Sequence, residues 1–330
     1  MKNILIIKGG GSSEHEVALR SADFFKEKID TNQFNIFSVE IDKEFNWSIN
    51  GNPCELTFKK ELRWEGQSVK IDAVIPCFHG YPGETGDIQS FLELIKMPYF
   101  GCESEASLLS FNKLVTKLML ELSGLKTTSF IQLNNSSKAE IYRAQEFLNT
   151  HETIYLKATN QGSSVGCYKV TQTDKNSLEK LILEAFQFSP YVIMEKEIIG
   201  RELEVSAFEF DGQVHITKPG EILTSGDFYT YEEKYSSNSQ SKTTVEARDI
   251  TEKQHQEIEH QARSAFEILK LRHLSRIDFF LSESGEVIIN EVNTFPGHTT
   301  ISMFPVMMEN YGVKYFDFLN QHLQTLAQNS

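Results

Sequence analysis

Arg276, Asp278, Glu291 and Asn293 fall within one stretch of the chain, RIDFFLSESGEVIINEVNTFPG, from Arg276 to Gly297. RIDFFL and EVIINEVNT are apolar-rich and β-branched, and Ser-Glu-Ser-Gly between them forms turns, so the stretch predicts a hairpin. Side chains on a strand alternate faces, which puts Arg276 with Asp278 and Glu291 with Asn293. A hairpin that gathers Asp, Glu and Asn at one end offers hard oxygen donors, and these suit Mg²⁺. An edge hairpin with a solvated polar face has the same pattern, so the remaining elements must decide.

The apolar run NILII (3–7) leads into Lys8-Gly9-Gly10-Gly11-Ser12-Ser13-Glu14. Strand, glycine turn and helix in that order open a doubly wound α/β domain. Ser13 with Glu16 predicts a capping box, and Val17, Ser21, Phe24 and Lys28 follow at helical spacing. No phosphate motif fits, because Glu14 stands where GxGxxG needs glycine and no Gly-Lys-Ser/Thr follows. A glutamate in this turn repels phosphate and attracts an amine; it also suits the first turn of any helix. DAVIPCF (72–78) predicts a second strand, and ligands of open α/β sheets lie beyond such ends, where His79 and Glu84 fall. Asp87 is placed to cap the helix IQSFLELI. A domain boundary is expected near residue 101. Asn112 then opens the helical run NKLVTKLMLELSG, which Gly124 stops, and Lys113 there is either a ligand contact or a solvated charge.

The strand IYLK ends on Lys157 and runs into ATNQGSSVGCYKV. Its Gly/Ser loop lets backbone N–H groups approach a phosphate beside the lysine's point charge, although a plain hairpin loop has the same composition. YVIMEKEIIGRELEV (191–205) predicts a strand, the acid-base pair Glu195-Lys196, a glycine and Glu202. Acids just past a strand can accept from ribose hydroxyls or an adenine amino group, although an exposed strand end with solvated charges has the same pattern. The polar stretch 224–246 holds Phe228, Tyr229, Tyr231 and Tyr235, which argues for a lid over a ligand rather than disorder. Residues 251–271 predict an amphipathic helix with Ile258, Ala262, Ala265 and Leu269 inward. The loop from Thr294 to Ser302 is rich in small polar donors, and MMENYGVKYFDFLNQHL predicts a helical, structural C-terminus.

At 330 residues the chain exceeds what one core supports, so two or three domains are expected. Hydrophobic residues at 40% and charged ones at 24% are a globular composition. A net charge of −14 argues against a nucleic-acid partner, while leaving room for a nucleotide held by a few local cations. Cys54, Cys77, Cys102 and Cys167 form no CxxC, so neither zinc nor a disulfide framework is implied. The N-terminus holds no signal segment and the chain no 18-residue apolar run, so a cytoplasmic protein without a membrane partner is expected.

Eight blocks then occur in a familiar order: GGGSSEHEVALRSA, HGYPGETGDIQ, NKLVTK, LKATNQGSSVGCYKV, EKEIIGRELEVS, FYTYEEKYSSNS, SRIDFFL and NEVNTFPGHTTISMFP. Together they resemble the D-alanine–D-alanine ligases of the ATP-grasp superfamily, over nearly the whole chain. The resemblance implies an α/β (α+β) fold of three-domain ATP-grasp architecture. Its parts would be an N-terminal doubly wound parallel-sheet domain (1–101), a central ATP-grasp subdomain (102–195) and a C-terminal one (196–330) with lid loop and metal hairpin.

By the same resemblance Glu14 would hold the ammonium of a first D-alanine and His79 would lie near the second. Lys113 and Lys157 would contact the phosphates of ATP, and Lys234 its γ-phosphate. Glu195, Lys196, Ile198 and Glu202 would line the adenosine pocket, with Phe228 and Asn290 completing the nucleotide set. Ser163 would tie the lid, through Tyr235, to Glu14. Asp278, Glu291 and Asn293 would bind two Mg²⁺ ions, for which Mn²⁺ can substitute. Arg276 and the Gly297 N–H would form an oxyanion hole, and Ser302 and Met303 would face the second D-alanine. The implied reaction joins two D-alanines through an acyl phosphate, for peptidoglycan synthesis, in a cytoplasmic homodimer. Thr85, Asn112, Ala158 and Glu246 depart from the usual family residues, and none removes a metal ligand or an oxyanion donor. The competing readings are a ligase that takes D-lactate or D-serine second, and a nucleotide-binding sensor without catalysis. A dehydrogenase is disfavoured by the absence of GxGxxG.

Overall fold

The computed structural model describes residues 1–223 and 242–328, which form three sheets. In the first, β1 (Lys2–Gly9) is followed by α1 (His15–Lys28), β2 (Phe34–Ile41), β3 (Trp47–Ile49), β4 (Asn52–Leu56), β5 (Glu61–Trp64), β6 (Gln67–Lys70), β7 (Ala73–Cys77) and α2 (Asp87–Leu94). β1 lies between β2 and β7, parallel to both. Ile4 and Ile6 pack with Phe24 and Phe25 of α1, while Leu5 and Ile7 pack with Ile88 and Leu92 of α2. Helices therefore cover both faces, which is why β1 reads as an unbroken apolar run. β3 to β6 extend this sheet as an antiparallel meander beyond β2. Sequence reading foresees the parallel centre but not the meander, whose strands are three to five residues long and of mixed polarity.

Two expected caps are corrected here. α1 starts at His15 with Glu14 in the N-cap position and no side-chain cap bond, so Ser13 and Glu16 form no capping box. The loop hydroxyl in use is that of Ser12, which accepts from the Glu14 N–H at 3.1 Å and donates to the His79 carbonyl at 2.7 Å. Asp87 does not cap α2 either. Gly86 occupies that position at φ 84°, and Asp87, the first helical residue, accepts from the Thr85 hydroxyl.

α3 (Ser104–Phe111) and α4 (Lys113–Leu122) lead to the second, antiparallel sheet. It contains β8 (Phe130–Leu133), β9 (Thr153–Ala158), β10 (Cys167–Thr171) and β11 (Val192–Lys196) in the order β10-β9-β11-β8. α5 (Lys138–His151) and α6 (Leu178–Phe188) cover it through Ala144, Leu148, Ile182 and Ala185.

The third sheet contains β12 (Gly200–Phe210), β13 (Gln213–Ile216), β14 (Gly220–Leu223), β15 (Lys242–Thr244), β16 (Leu274–Ser282) and β17 (Val287–Asn293). α7 (Glu252–Ile268) packs on it through Ile258, Ala262 and Ala265, as its spacing predicts, and opens with a Thr251–Gln254 capping box. The C-terminal segment is two helices, α8 (Met303–Tyr311) and α9 (Tyr315–Gln328), separated at Gly312, which has φ 105°. Phe304, Tyr315, Phe318 and Leu323 are buried in the same cluster as Ile4, Phe25 and Phe100. At about 1.5–3 kcal/mol for each large apolar side chain buried, they hold the C-terminal helices firmly to the first sheet. No helix among the described residues is long and apolar enough to cross a membrane.

Candidate active site

β16 and β17 form the predicted hairpin, with Arg276 opposite Asn293 and Asp278 opposite Glu291. The register then shifts: Phe279 pairs with Ile289, leaving Asn290 as the extra residue of a β-bulge. A bulge bends the strand locally, so the polar end can turn to a cleft while Ile288 and Ile289 stay in the core. Arg276 grips Asp278 with two bonds of 2.7 Å and lies 3.2 Å from Glu204 on β12. Burial works against the guanidinium's charge, but Asp278 and Glu204 outweigh it and hold the proton well above the usual arginine range. The Asn293 amide donates to Asp278 at 3.0 Å, which leaves its carbonyl oxygen for another partner.

α4 brings Lys113 to the same place. Asn112 caps this helix by accepting from the N–H groups of Leu114 and Val115, so the substitution of the usual aspartate preserves the cap. The Lys113 ammonium donates to the Gln161 carbonyl at 2.6 Å and lies 4.0 Å from Glu291. It thus links hairpin and Gly/Ser loop. Within that loop Ser163 and Ser164 have φ of 49° and 61°, a left-handed conformation that side chains disfavour and that concentrates at functional sites. Across the cleft the Lys157 ammonium donates to Glu195 at 2.8 Å.

Two cavities meet at these groups. One, of about 690 Å³, lies between the second and third sheets and is lined by Lys157, Glu195, Lys196, Ile198, Glu202, Asp278 and Asn290. The other, of about 510 Å³, is lined by Glu14, His79, Asn293, Gly297, Ser302 and Met303. Lys113, Ser163, Arg276 and Glu291 line both. The residues expected at the nucleotide and those expected at the amino acids thus separate into adjoining chambers. Phe228, Lys234 and Tyr235, expected on the lid, lie outside the described residues.

The second chamber is rich in carboxyl groups. Glu14 is buried, and a Cβ added at Gly80 (φ 67°) would come within 3.3 Å of its Oε2, so this turn needs glycine twice over. His79 is buried with both ring nitrogens engaged, Nδ1 donating to the Phe295 carbonyl at 3.1 Å and Nε2 accepting from Ser21 at 2.8 Å. Burial lowers its pKa, with Glu14 opposing, so the ring is a neutral tie between α1 and the loop that carries Gly297. Glu84, which accepts from the Gly80 N–H at 2.8 Å, is pushed up to about 8 by burial and then by Glu14. Two carboxylates in one chamber cannot both ionise freely, and this one keeps its proton.

Because the folded state binds Glu84's proton more tightly than the unfolded state, its contribution is complete below the unfolded pKa near 4.5 and is lost as pH rises through about 8. Glu84→Gln should therefore gain in melting temperature relative to the ligand-free wild type between pH 5 and 8. Parallel melting curves across that range would remove the proton from Glu84.

Sequence reading placed Glu84 at a ligand-facing strand end without foreseeing its raised pKa, and assigned Glu204 no role. Glu204 had a signal, since in GRELEV it shares a strand face with Glu202.

Residues 3–102 match the profile of the D-ala D-ala ligase N-terminus, and residues 119–324 that of the D-ala D-ala ligase C-terminus. A D-alanine–D-alanine ligase from Shewanella sediminis is 47% identical over 98% of both chains. The chain belongs to the D-alanine–D-alanine ligase family. A D-alanyl-alanine synthetase A from Vibrio cholerae superposes with a TM-score of 0.94 at 44% identity, covering 99% of each chain. A D-Ala:D-Ser ligase from Enterococcus faecalis reaches a TM-score of 0.86 at 28% identity, over 98% of this chain and 99% of its own. The three sheets are therefore those of an ATP-grasp fold.

Ligases of this family depend on ATP and a divalent metal, and the donor set fits such an ion. Asp278, Glu291 and Asn293 supply carboxylate and amide oxygens from adjacent strands, hard donors suited to Mg²⁺ rather than zinc. Among the described residues, no group of three or more His, Cys, Asp or Glu side chains is arranged to hold a metal ion.

Proposed function

We propose that this chain joins two D-alanines into D-alanyl-D-alanine, cleaving ATP to ADP and phosphate, with the chemistry placed where the two chambers meet. The supporting observation is that Arg276, Glu291 and Lys113 line both of them. Adenosine occupies the first chamber against Glu195, Lys196, Ile198, Glu202 and Asn290, with Lys113 and Lys157 toward the phosphates. Glu14 in the second holds the ammonium of the first D-alanine, whose carboxylate then faces the γ-phosphate. A carboxylate is a poor electrophile, so one of its oxygens first attacks the γ-phosphorus, giving an acyl phosphate and ADP. The amine of the second D-alanine, beside His79, Ser302 and Met303, attacks the carbonyl carbon, and phosphate leaves with the carboxylate oxygen. Positioning and charge stabilisation account for most of such catalysis. Asp278, Glu291 and Asn293 would hold two Mg²⁺ ions, which offset charge on the transferring phosphoryl group when bound. Arg276 and the Gly297 N–H face the oxyanion that develops on the attacked carbonyl. Ser163, with Tyr235, would fasten the lid toward Glu14 and keep water from the acyl phosphate.

The three sheets support three lobes, with boundaries near 101 and 195, the C-terminal helices joining the core of the first. A need for ATP and a peptidoglycan precursor as product support a cytoplasmic reaction, and the family resemblance supports a homodimer.

ADP release with ATP and Mg²⁺ tests the reading, comparing D-alanine, L-alanine, D-serine, and D-alanine with D-lactate. D-alanine alone is expected to drive the fastest release, and a chain inert to D-alanine would sink the proposal. Faster release on adding D-lactate would instead favour an ester-forming ligase.

A further inference from the structure

One helical turn beyond Lys113, α4 carries a second lysine that the reaction above does not use. Lys117 is 1% exposed, and its ammonium lies 3.2 Å from Glu195 Oε1 and 2.9 Å from the Thr127 hydroxyl, near the Phe130 ring. Glu195 is itself 2% exposed and receives Lys157 on its other oxygen at 2.8 Å. One buried carboxylate thus serves two ammonium groups, and only one of them, Lys157, reaches the cavity. Burial pushes the Glu195 carboxyl up, but the two lysines outweigh it and hold it ionised; burial pulls the Lys117 ammonium down, with Glu195 opposing.

We infer that Lys117 is a positioning residue for the nucleotide: it keeps Glu195 neutralised, so that Lys157 is free to leave Glu195 for phosphate. The inference rests on reading the first chamber as the ATP site. An ion buried without a partner is strongly unfavourable. With Lys117 in place, departure of Lys157 leaves a neutral Glu195–Lys117 pair. Without it, Lys157 is the sole counterion of Glu195 among the described residues, and every phosphate contact it makes strips a buried carboxylate. The resting protein tolerates the loss better, since Lys157 still pairs with Glu195.

Lys117→Met should fold and should weaken ATP, read as Kd by calorimetry and as KM in ADP release, by about tenfold or more. The KM for D-alanine should stay unchanged and kcat should move much less than the KM for ATP. If Lys117 acts through Glu195, the losses in Lys117→Met and Glu195→Gln should not multiply in the double variant, because a neutral amide in place of the carboxylate needs no counterion. Lys117→Gln, which keeps a donor for Thr127 but no charge, should repeat the ATP loss and stands in if the methionine variant does not fold. Wild-type ATP affinity in either single variant of Lys117 overturns the inference, as do losses that multiply. Failure of the unaltered chain to bind ATP would instead overturn the reading of the chamber.

Discussion

Arg276→Met is expected to lower turnover by about 10²–10³, the usual loss when one donor to a developing oxyanion is removed. The same substitution should also destabilise the fold, by about 3–5 kcal/mol, because Asp278 and Glu204 lose a shared cation in a largely buried setting. The two effects separate with Arg276→Lys, which keeps a charge between the carboxylates but loses the planar fork that bonds Asp278 twice. Melting should recover in large part in the lysine variant while turnover stays low. Turnover within about threefold of wild type in both variants, measured well below their melting temperatures, would leave Arg276 as a structural ion only.

Glu291→Gln is the second large effect. It removes one of two anionic metal donors and replaces it with an isosteric amide. Loss of several kcal/mol of transition-state charge stabilisation corresponds to a fall in turnover of about 10³ or more. Stability should barely change, since Glu291 is only partly buried and its contact with Lys113 is long at 4.0 Å. ADP release together with thermal melting checks this, and near-normal release at saturating Mg²⁺ would refute the ligand assignment. A variant that lost activity by unfolding would show itself in the melt.

The parts of the site that were legible in the sequence are those in which residue type and strand period agree. Arg276, Asp278, Glu291 and Asn293 sit on a hairpin where alternation puts them, and Glu14 and His79 follow strand ends of the parallel centre. Asn112 caps a helix as its type predicts. The bulge at Asn290 was not legible, because one inserted residue leaves no compositional mark yet changes which way the strand's polar end faces. The caps at Ser13 and Asp87 failed because neighbouring groups decide them: Ser12 serves the loop and Gly86 takes the left-handed turn. The meander of β3 to β6 is held by cross-strand pairing of short segments whose own periodicity is too brief to register. Lys117 could have been found. It lies three residues from both Leu114 and Leu120, inside the apolar stripe of α4, where a solvated lysine is out of pattern.

The central claim is that a D-alanine carboxylate is activated as an acyl phosphate where the two chambers meet. It is tested most directly by running the reaction with D-alanine labelled with ¹⁸O in its carboxylate and measuring the released phosphate by mass spectrometry. The account predicts that each phosphate carries one labelled oxygen, formed in step with ADP and D-alanyl-D-alanine. Dipeptide and ADP accompanied by unlabelled phosphate would contradict it.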